Sequence, residues 1–214
     1  MIRALFALLV FTLPSAVRAQ DCLCLTCAFT QYEAFVVPGT SMAPLLPADS
    51  CMIGDMDVDA RSLRPGDVIL FRHPQTKETH IKRLIATAGQ TVQMVDGALV
   101  IDGTPVPSTP SGAYAQLMQP SAAGIIPRCP GPTPMGRSCD ISKFTETLAG
   151  TRYDVLDLMR GAMDNTPLYT VPEGHVFVLG DNRDHSMDSR TSEAAGGIGF
   201  VPLSEITGVL HEIR

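Results

Sequence analysis

From residue 35 onward the apolar residues come in runs too short to be helices. AFVV stops at Pro-Gly, CMIG stops at Asp-Met-Asp, VILF follows Arg-Pro-Gly-Asp, and HIKRLIAT stops at Ala-Gly-Gln. Most of these runs have strand length and end at turn residues, which fits short strands better than helices. Two Asp-Gly pairs, Asp96-Gly97 and Asp102-Gly103, flank ALVI, and Asp-Gly between apolar segments is a strong hairpin signal. The chain carries 18 glycines and 17 prolines, a complement that supplies many turns. The fold class read from this pattern is all-β, a mainly antiparallel β core with a loop-rich insertion and little helix.

The organisation follows from where the punctuation falls. Residues 35–106 read as the first part of the β core. Eight of the 17 prolines lie between Pro105 and Pro134, and proline at that density cannot continue a central strand or a helix. Residues 107–170 therefore read as a Pro/Gly-rich insertion, with room for a short helix over Lys143–Leu148 or Val155–Met163. The strand pattern returns at VPEGHVFVLGDN, so 171–214 reads as the second part of the core. A length of 214 residues with 45% hydrophobic residues excludes a disordered chain and a polytopic membrane protein. A net charge of −6 argues against a nucleic-acid partner, which is normally met by a basic surface.

Residues 1–19 have the composition of an export segment. Arg3 precedes an apolar run from Ala4 to Val17, and Val17-Arg18-Ala19 has the short side chains of a cleavage site. A retained signal anchor is the rival reading. The run spans roughly 21 Å at helical rise, short of a hydrocarbon core of about 30 Å. Either reading puts the remainder outside the cytoplasm. Six cysteines agree, since disulfides persist in oxidising compartments. Cys129 and Cys139 form a candidate local bridge within the insertion. Residues 20–34 are a linker holding Cys22, Cys24 and Cys27, with Cys51 further on. A metal site there would need a fourth ligand at a set spacing, and no CxxC or HxxxH pair follows. Disulfides or free thiols are the better reading, and the pairing of these four stays open.

Three blocks carry chemistry. They are Pro38-Gly39-Thr40-Ser41-Met42-Ala43-Pro44, His80-Ile81-Lys82-Arg83-Leu84-Ile85, and the polar loop Gly180-Asp181-Asn182-Arg183-Asp184-His185-Ser186-Met187-Asp188-Ser189-Arg190. The last block places Asn182, Asp184, Ser186, Asp188 and Glu193 at calcium-loop spacing. Met187, however, stands where such a loop needs glycine, so no metal is expected. A serine hydroxyl is a weak nucleophile and needs a base within hydrogen-bond reach. No histidine here lies in a motif with a carboxylate. The chain has only three lysines, Lys77, Lys82 and Lys143, and Lys82 alone sits among apolar residues that could lower its pKa by desolvation.

Together these blocks resemble the type I signal peptidases, Ser/Lys serine endopeptidases that remove leader peptides from exported proteins. Ser41-Met42-Ala43-Pro44-Leu45-Leu46, Gly66-Asp67-Val68-Ile69, Lys82-Arg83-Leu84-Ile85, the 180–190 block and Gly199–Pro202 all carry the resemblance, over roughly 35–107 and 171–210. The resemblance implies a β core of signal peptidase type, Ser41 as nucleophile and Lys82 as general base. It implies support from Ser186, which would orient the lysine amine, from the Asp188–Arg190 pair, and from Asp181, Arg83 and Met42. Substrate would lie extended between Phe35–Pro38 and Thr79–Ile81, with Phe35, Val37, His80 and Ile81 against it, and would be cut after small residues. The implied partners are exported preproteins and the membrane surface, with no cofactor, metal or nucleic acid. The implied location is the outer side of the cytoplasmic membrane, or the periplasm if 1–19 are removed. A specialised maturation peptidase for a pilin-like or conjugation substrate, and a silent relative acting as a binding module, are the alternatives. The sequence departs from the family at Gly39, Leu45, Ala86, Ala88, Gln90 and His185. Some family members supply a second oxyanion donor from a serine hydroxyl at the position of Gly39, so that donor falls to Thr40 or to the backbone alone.

Overall fold

The computed structural model describes residues 22, 24 and 27–214, so the 1–19 segment and part of the 20–34 linker lie outside the described residues. The strands, in chain order, are β1 (Tyr32–Val36), β2 (Cys51–Asp55), β3 (Val68–Arg72), β4 (Thr79–Thr87), β5 (Thr91–Val95), β6 (Ala98–Ile101) and β7 (Thr104–Pro105). They continue as β8 (Ser108–Leu117), β9 (Ser138–Leu148), β10 (Thr151–Asp157), β11 (Tyr169–Thr170), β12 (His175–Leu179), β13 (Val201–Pro202) and β14 (Ile206–Ile213). Helix among the described residues is confined to single 3₁₀ turns. The chain is thus a mainly antiparallel β protein.

The principal sheet has seven strands in the order β1-β2-β14-β3-β4-β12-β13. Its centre is buried on both faces, which is why VILF in β3 and LIA in β4 read as continuous apolar runs rather than alternating ones. One face packs Ile69, Phe71, Leu84 and Val178 against Ile198 and Val201. The other packs Ile85, Val92, Leu99, Val155 and Phe177 into a second cluster. That second cluster joins the principal sheet to a four-stranded sheet, β11-β5-β6-β7, and to the insertion.

Both Asp-Gly pairs form the two-residue turns of β5-β6 and β6-β7. Asp96 and Gly97 have φ of 48° and 83°, and Asp102 and Gly103 have 50° and 74°, the left-handed values such turns require.

Neither short helix allowed over Lys143–Leu148 or Val155–Met163 forms. Lys143–Leu148 lies within β9, and Val155–Asp157 lies within β10. β8, β9 and β10 make a three-stranded antiparallel sheet that flanks the Pro/Gly-rich stretch. Pro110 is tolerated because β8 is an edge strand whose register shifts between Pro110 and Gly112. The strand character of β9 is masked by its polarity. Its inward side chains include Glu146, which is 3% exposed and ion-paired with Arg183, so the apolar period is broken.

Three disulfides tie the structure. Cys129–Cys139 forms within the insertion. Cys22 bridges to Cys51 at the start of β2, and Cys24 to Cys27 in the linker.

Candidate active site

Ser41 sits in a tight turn between β1 and β2. The Ala43 N–H donates to the Thr40 carbonyl at 3.1 Å, and the Leu46 N–H to the Met42 carbonyl at 2.9 Å. Met42, Ala43 and Leu46 are almost wholly buried, so the turn is anchored by its apolar side while Ser41 faces a cleft. The Ser41 carbonyl accepts the Asn182 N–H at 3.0 Å, which stitches this turn to the 180–190 loop.

Lys82 comes from the middle of β4, where it pairs with Ile69 of β3. Its side chain is 5% exposed. Nζ donates to Ser41 Oγ at 2.8 Å and to the Ile81 carbonyl at 2.9 Å. Burial penalises the ammonium and pushes its pKa from 10.5 down to about 8, with the carboxylates of Asp188 and Asp181 pulling the other way. His80 lies one residue from Ile81 on the same strand. Burial, then the charges of Lys82 and His73, lower its pKa to about 4, so His80 is neutral at physiological pH.

The loop after β12 holds this pair in place. Asp188 accepts two bonds from Arg190, Nε and Nη2, each at 2.8 Å, and also the Gly180 N–H at 3.1 Å. Asp181 accepts Arg83 Nε at 2.8 Å and Nη2 at 2.6 Å, while Arg83 Nη1 donates to the Gly66 carbonyl at 2.6 Å. Both are bidentate Arg–carboxylate forks, the geometry in which buried ion pairs are best satisfied. The Arg83 guanidinium also lies 4.0 Å from the centroid of the Tyr153 ring. Gly180 has to be glycine for a packing reason. A Cβ there would overlap Ser186 Oγ and would lie 2.6 Å from the Ser41 carbonyl oxygen.

The 470 Å³ cleft in front of Ser41 and Lys82 includes Val37, His80 and Ile81 among its walls. Phe35 is not among them. It is half-buried, packs with the apolar cluster of Val37, Met42 and Leu46, and meets the open side of Gly54 in β2. Ser186 also differs from its expected place. Its Oγ is buried and makes no hydrogen bond, while the second lysine bond goes to the Ile81 carbonyl instead. A larger cavity, about 720 Å³, lies beside Arg83 and Tyr153 and contains neither Ser41 nor Lys82. No group of His, Cys, Asp and Glu among the described residues is assembled as a metal site.

Two features of the cleft have no precursor in the motif reading. Thr40 Oγ1 and His185 Nδ1 are 2.6 Å apart, which links the residue before Ser41 to the one before Ser186. Burial, then the charge of Arg128, lower the pKa of His185. Ile125, from the insertion, lines the cleft as well. Nothing in the local sequence around Ile125 marks it. Only the path of the folded insertion brings it there.

Comparison with known proteins identifies the family of the chain. The family described as "Signal peptidase, peptidase S26" matches residues 6–213. A signal peptidase I of Rickettsia bellii is 36% identical over 153 residues, covering 67% of this chain and 45% of that protein. A signal peptidase I of Rickettsia typhi is 32% identical over 160 residues, covering 71% of this chain and 52% of that one. The chain thus spans about half the length of these curated relatives. A crystal structure of a signal peptidase I from Enterococcus faecalis is 24% identical, covers 70% of this chain and 97% of that one, and has a TM-score of 0.37. With a family match running over nearly the whole sequence, the chain belongs to the signal peptidase family, peptidase S26.

Proposed function

We propose that this protein is a serine endopeptidase with a Ser41–Lys82 dyad that removes leader peptides from exported proteins, cutting after small residues. The observation that carries the reading is the 2.8 Å contact between Lys82 Nζ and Ser41 Oγ, made by a lysine that burial has brought within reach of neutrality. A neutral amine at that distance accepts the serine proton as Oγ attacks the scissile carbonyl. The tetrahedral oxyanion forms beside the Ser41 N–H, the proposed first donor. Lys82 then returns the proton to the leaving amine as the C–N bond breaks, leaving an ester on Ser41. Water, deprotonated by the same amine, cleaves the ester and restores the pair.

Substrate binding follows from two strand edges. β1 is the outer strand of the principal sheet. In β4, pairing with β12 begins only at Arg83, so Thr79–Lys82 has a strand partner on the β3 side alone. An extended peptide can add its backbone between these edges, with pockets reading its alternate side chains. Val37, His80 and Ile81 then touch substrate, and Met42 shapes the floor beneath. Asp181, Asp188, Arg83 and Arg190 hold the dyad. Ser186, whose hydroxyl is buried beside Gly180 and makes no hydrogen bond, is the side chain proposed from the family resemblance to orient the lysine amine. Three disulfides support work in an oxidising, extracytoplasmic compartment. The membrane surface is where leader peptides would be met.

The test is cleavage of a leader-peptide substrate by Ser41→Ala and Lys82→Ala. Each change should cut kcat by about 10³-fold or more, as loss of a nucleophile or its base does. A β-lactam-type acylating probe, whose ring C–N bond opens as the ester forms, should label wild-type Ser41. Full activity in either variant defeats the proposal, and a folded wild-type chain whose Ser41 never labels would mark it as a silent relative.

A further inference from the structure

Between β8 and β9 the chain leaves the three-stranded sheet and returns as a strap. The Met118 N–H donates to the Arg137 carbonyl and the Gly136 N–H to the Met118 carbonyl, both at 2.8 Å, closing its base. The Cys129–Cys139 disulfide ties its returning limb to β9. Its tip is the turn Ser121–Ile125, closed by the Ser121 N–H on the Ile125 carbonyl at 2.9 Å.

This tip is fastened to the segment that leads into Ser41. Ser121 Oγ, on a residue 8% exposed, donates to the Pro38 carbonyl at 2.7 Å and accepts the Ile125 N–H at 3.2 Å. The Ala122 N–H donates to the Asp49 carboxylate at 3.0 Å, and the Asp49 N–H in turn to the Val37 carbonyl at 2.8 Å. The Ile125 side chain then lies over Gly39. A Cβ on Gly39 would be 3.3 Å from Ile125 Cδ1 and 3.7 Å from Cγ2, so glycine leaves the room that the isoleucine occupies. Ile125 lines the cleft that holds Ser41, His80 and Lys82.

We infer that the strap is a built-in specificity element, with Ile125 forming the cleft wall that limits the size of the substrate side chain beside the scissile bond. Gly39 is two residues from the proposed nucleophile, so a group covering it flanks the bond that Ser41 would attack. The wall is apolar and is held by a clamp rather than by the flexibility of a surface loop. The inference rests on the Ser41–Lys82 reading of the cleft. A difference of one or two methylenes against such a wall is worth about tenfold to a hundredfold in kcat/KM.

The experiment uses the full chain and two sets of leader peptides, one varied at the residue before the cut and one at the residue after it, Ala against Val in each. The readout is the Val-to-Ala ratio of kcat/KM, in which any loss of folded enzyme cancels. Ile125→Ala should raise that ratio about tenfold at one of the two positions, and Ile125→Phe should lower it. Ser121→Ala, which loosens the clamp, should move the ratio in the direction of Ile125→Ala. Ratios within twofold of wild type in both Ile125 variants overturn the inference while leaving the peptidase reading intact. A wild-type chain that cleaves no peptide and whose Ser41 takes no acylating probe overturns both.

Discussion

Lys82 is held between two opposed effects. Burial disfavours its charge, Asp188 and Asp181 favour it, and burial wins. The proposed base is therefore active only above its pKa, and kcat/KM should rise with pH through about 8 and then level off. A pH–rate profile checks this, and a rise centred near 6.5 would point to a histidine instead. His80 does not supply that limb, because it is already neutral above about 4. Asp188→Asn removes a charge that raises the lysine pKa, so the limb should move to lower pH. The same change leaves Arg190, on a side chain 2% exposed, without its carboxylate, and should cost about 3–5 kcal/mol in chemical denaturation. The linkage for Lys82 has a definite sign. Between about 8 and 10.5 the unfolded chain keeps a proton that the folded chain has released, so stability rises with pH across that window. The residue types at this site were legible, since Ser41, Lys82, Asp188 and Arg190 stand in dense motifs. The Thr40–His185 contact was not, because its partners are far apart in sequence and neither has a motif that requires the other.

At the scale of elements, Gly66 marks where the principal sheet meets the insertion. Its φ is +107°, and a Cβ would lie 2.8 Å from Thr151 Cβ and Oγ1 at the start of β10. Its carbonyl also accepts from Arg83. Gly66→Ala should cost about 1–3 kcal/mol through backbone strain alone, with further loss from the overlap, read as a lower denaturation midpoint. An unchanged midpoint would mean that the loop moves freely. The β5-β6-β7 hairpins were legible because Asp-Gly turns name themselves. The β9-β10 hairpin was not. It turns on Ala149-Gly150, with φ of 49° and 87°, and alanine carries no turn signal. The insertion sheet was hidden by the prolines between β8 and β9, and by buried polar groups such as Glu146 that interrupt its period.

For the whole molecule, the disulfides reinforce local ties: one lies within the linker, one joins the linker to β2, and one joins the strap to β9. All described cysteines are paired, so a thiol-alkylating reagent should add nothing to the folded chain without reductant and six groups after reduction under denaturing conditions. The Cys129–Cys139 bridge closes a loop with a separation of 10 residues. Removing it as Cys129→Ser/Cys139→Ser should cost about 2–3 kcal/mol on the chain-entropy estimate. The two clusters that pack against β4 and β12 put the insertion sheet, the hairpin sheet and the principal sheet into one core, so a thermal melt should be a single cooperative transition. Separate transitions would show that the insertion is an independent unit.

By itself the sequence determined the class of fold and the chemistry to look for. Strand-length apolar runs with turn residues between them bury their faces by pairing into sheets, and a lysine among apolar neighbours is a candidate base because burial would lower its pKa. The sequence could not determine distances between segments that meet only after folding. Tertiary structure decided that Lys82 Nζ reaches Ser41 Oγ, and that Ser186 is not the group the amine bonds. It also decided that Phe35 faces the core and that Ile125 crosses from the insertion to cover Gly39. Local patterns record the period and polarity of each strand. The pairing of strands far apart in the chain depends on register and on which faces are left to bury, and those are properties of the assembled sheets.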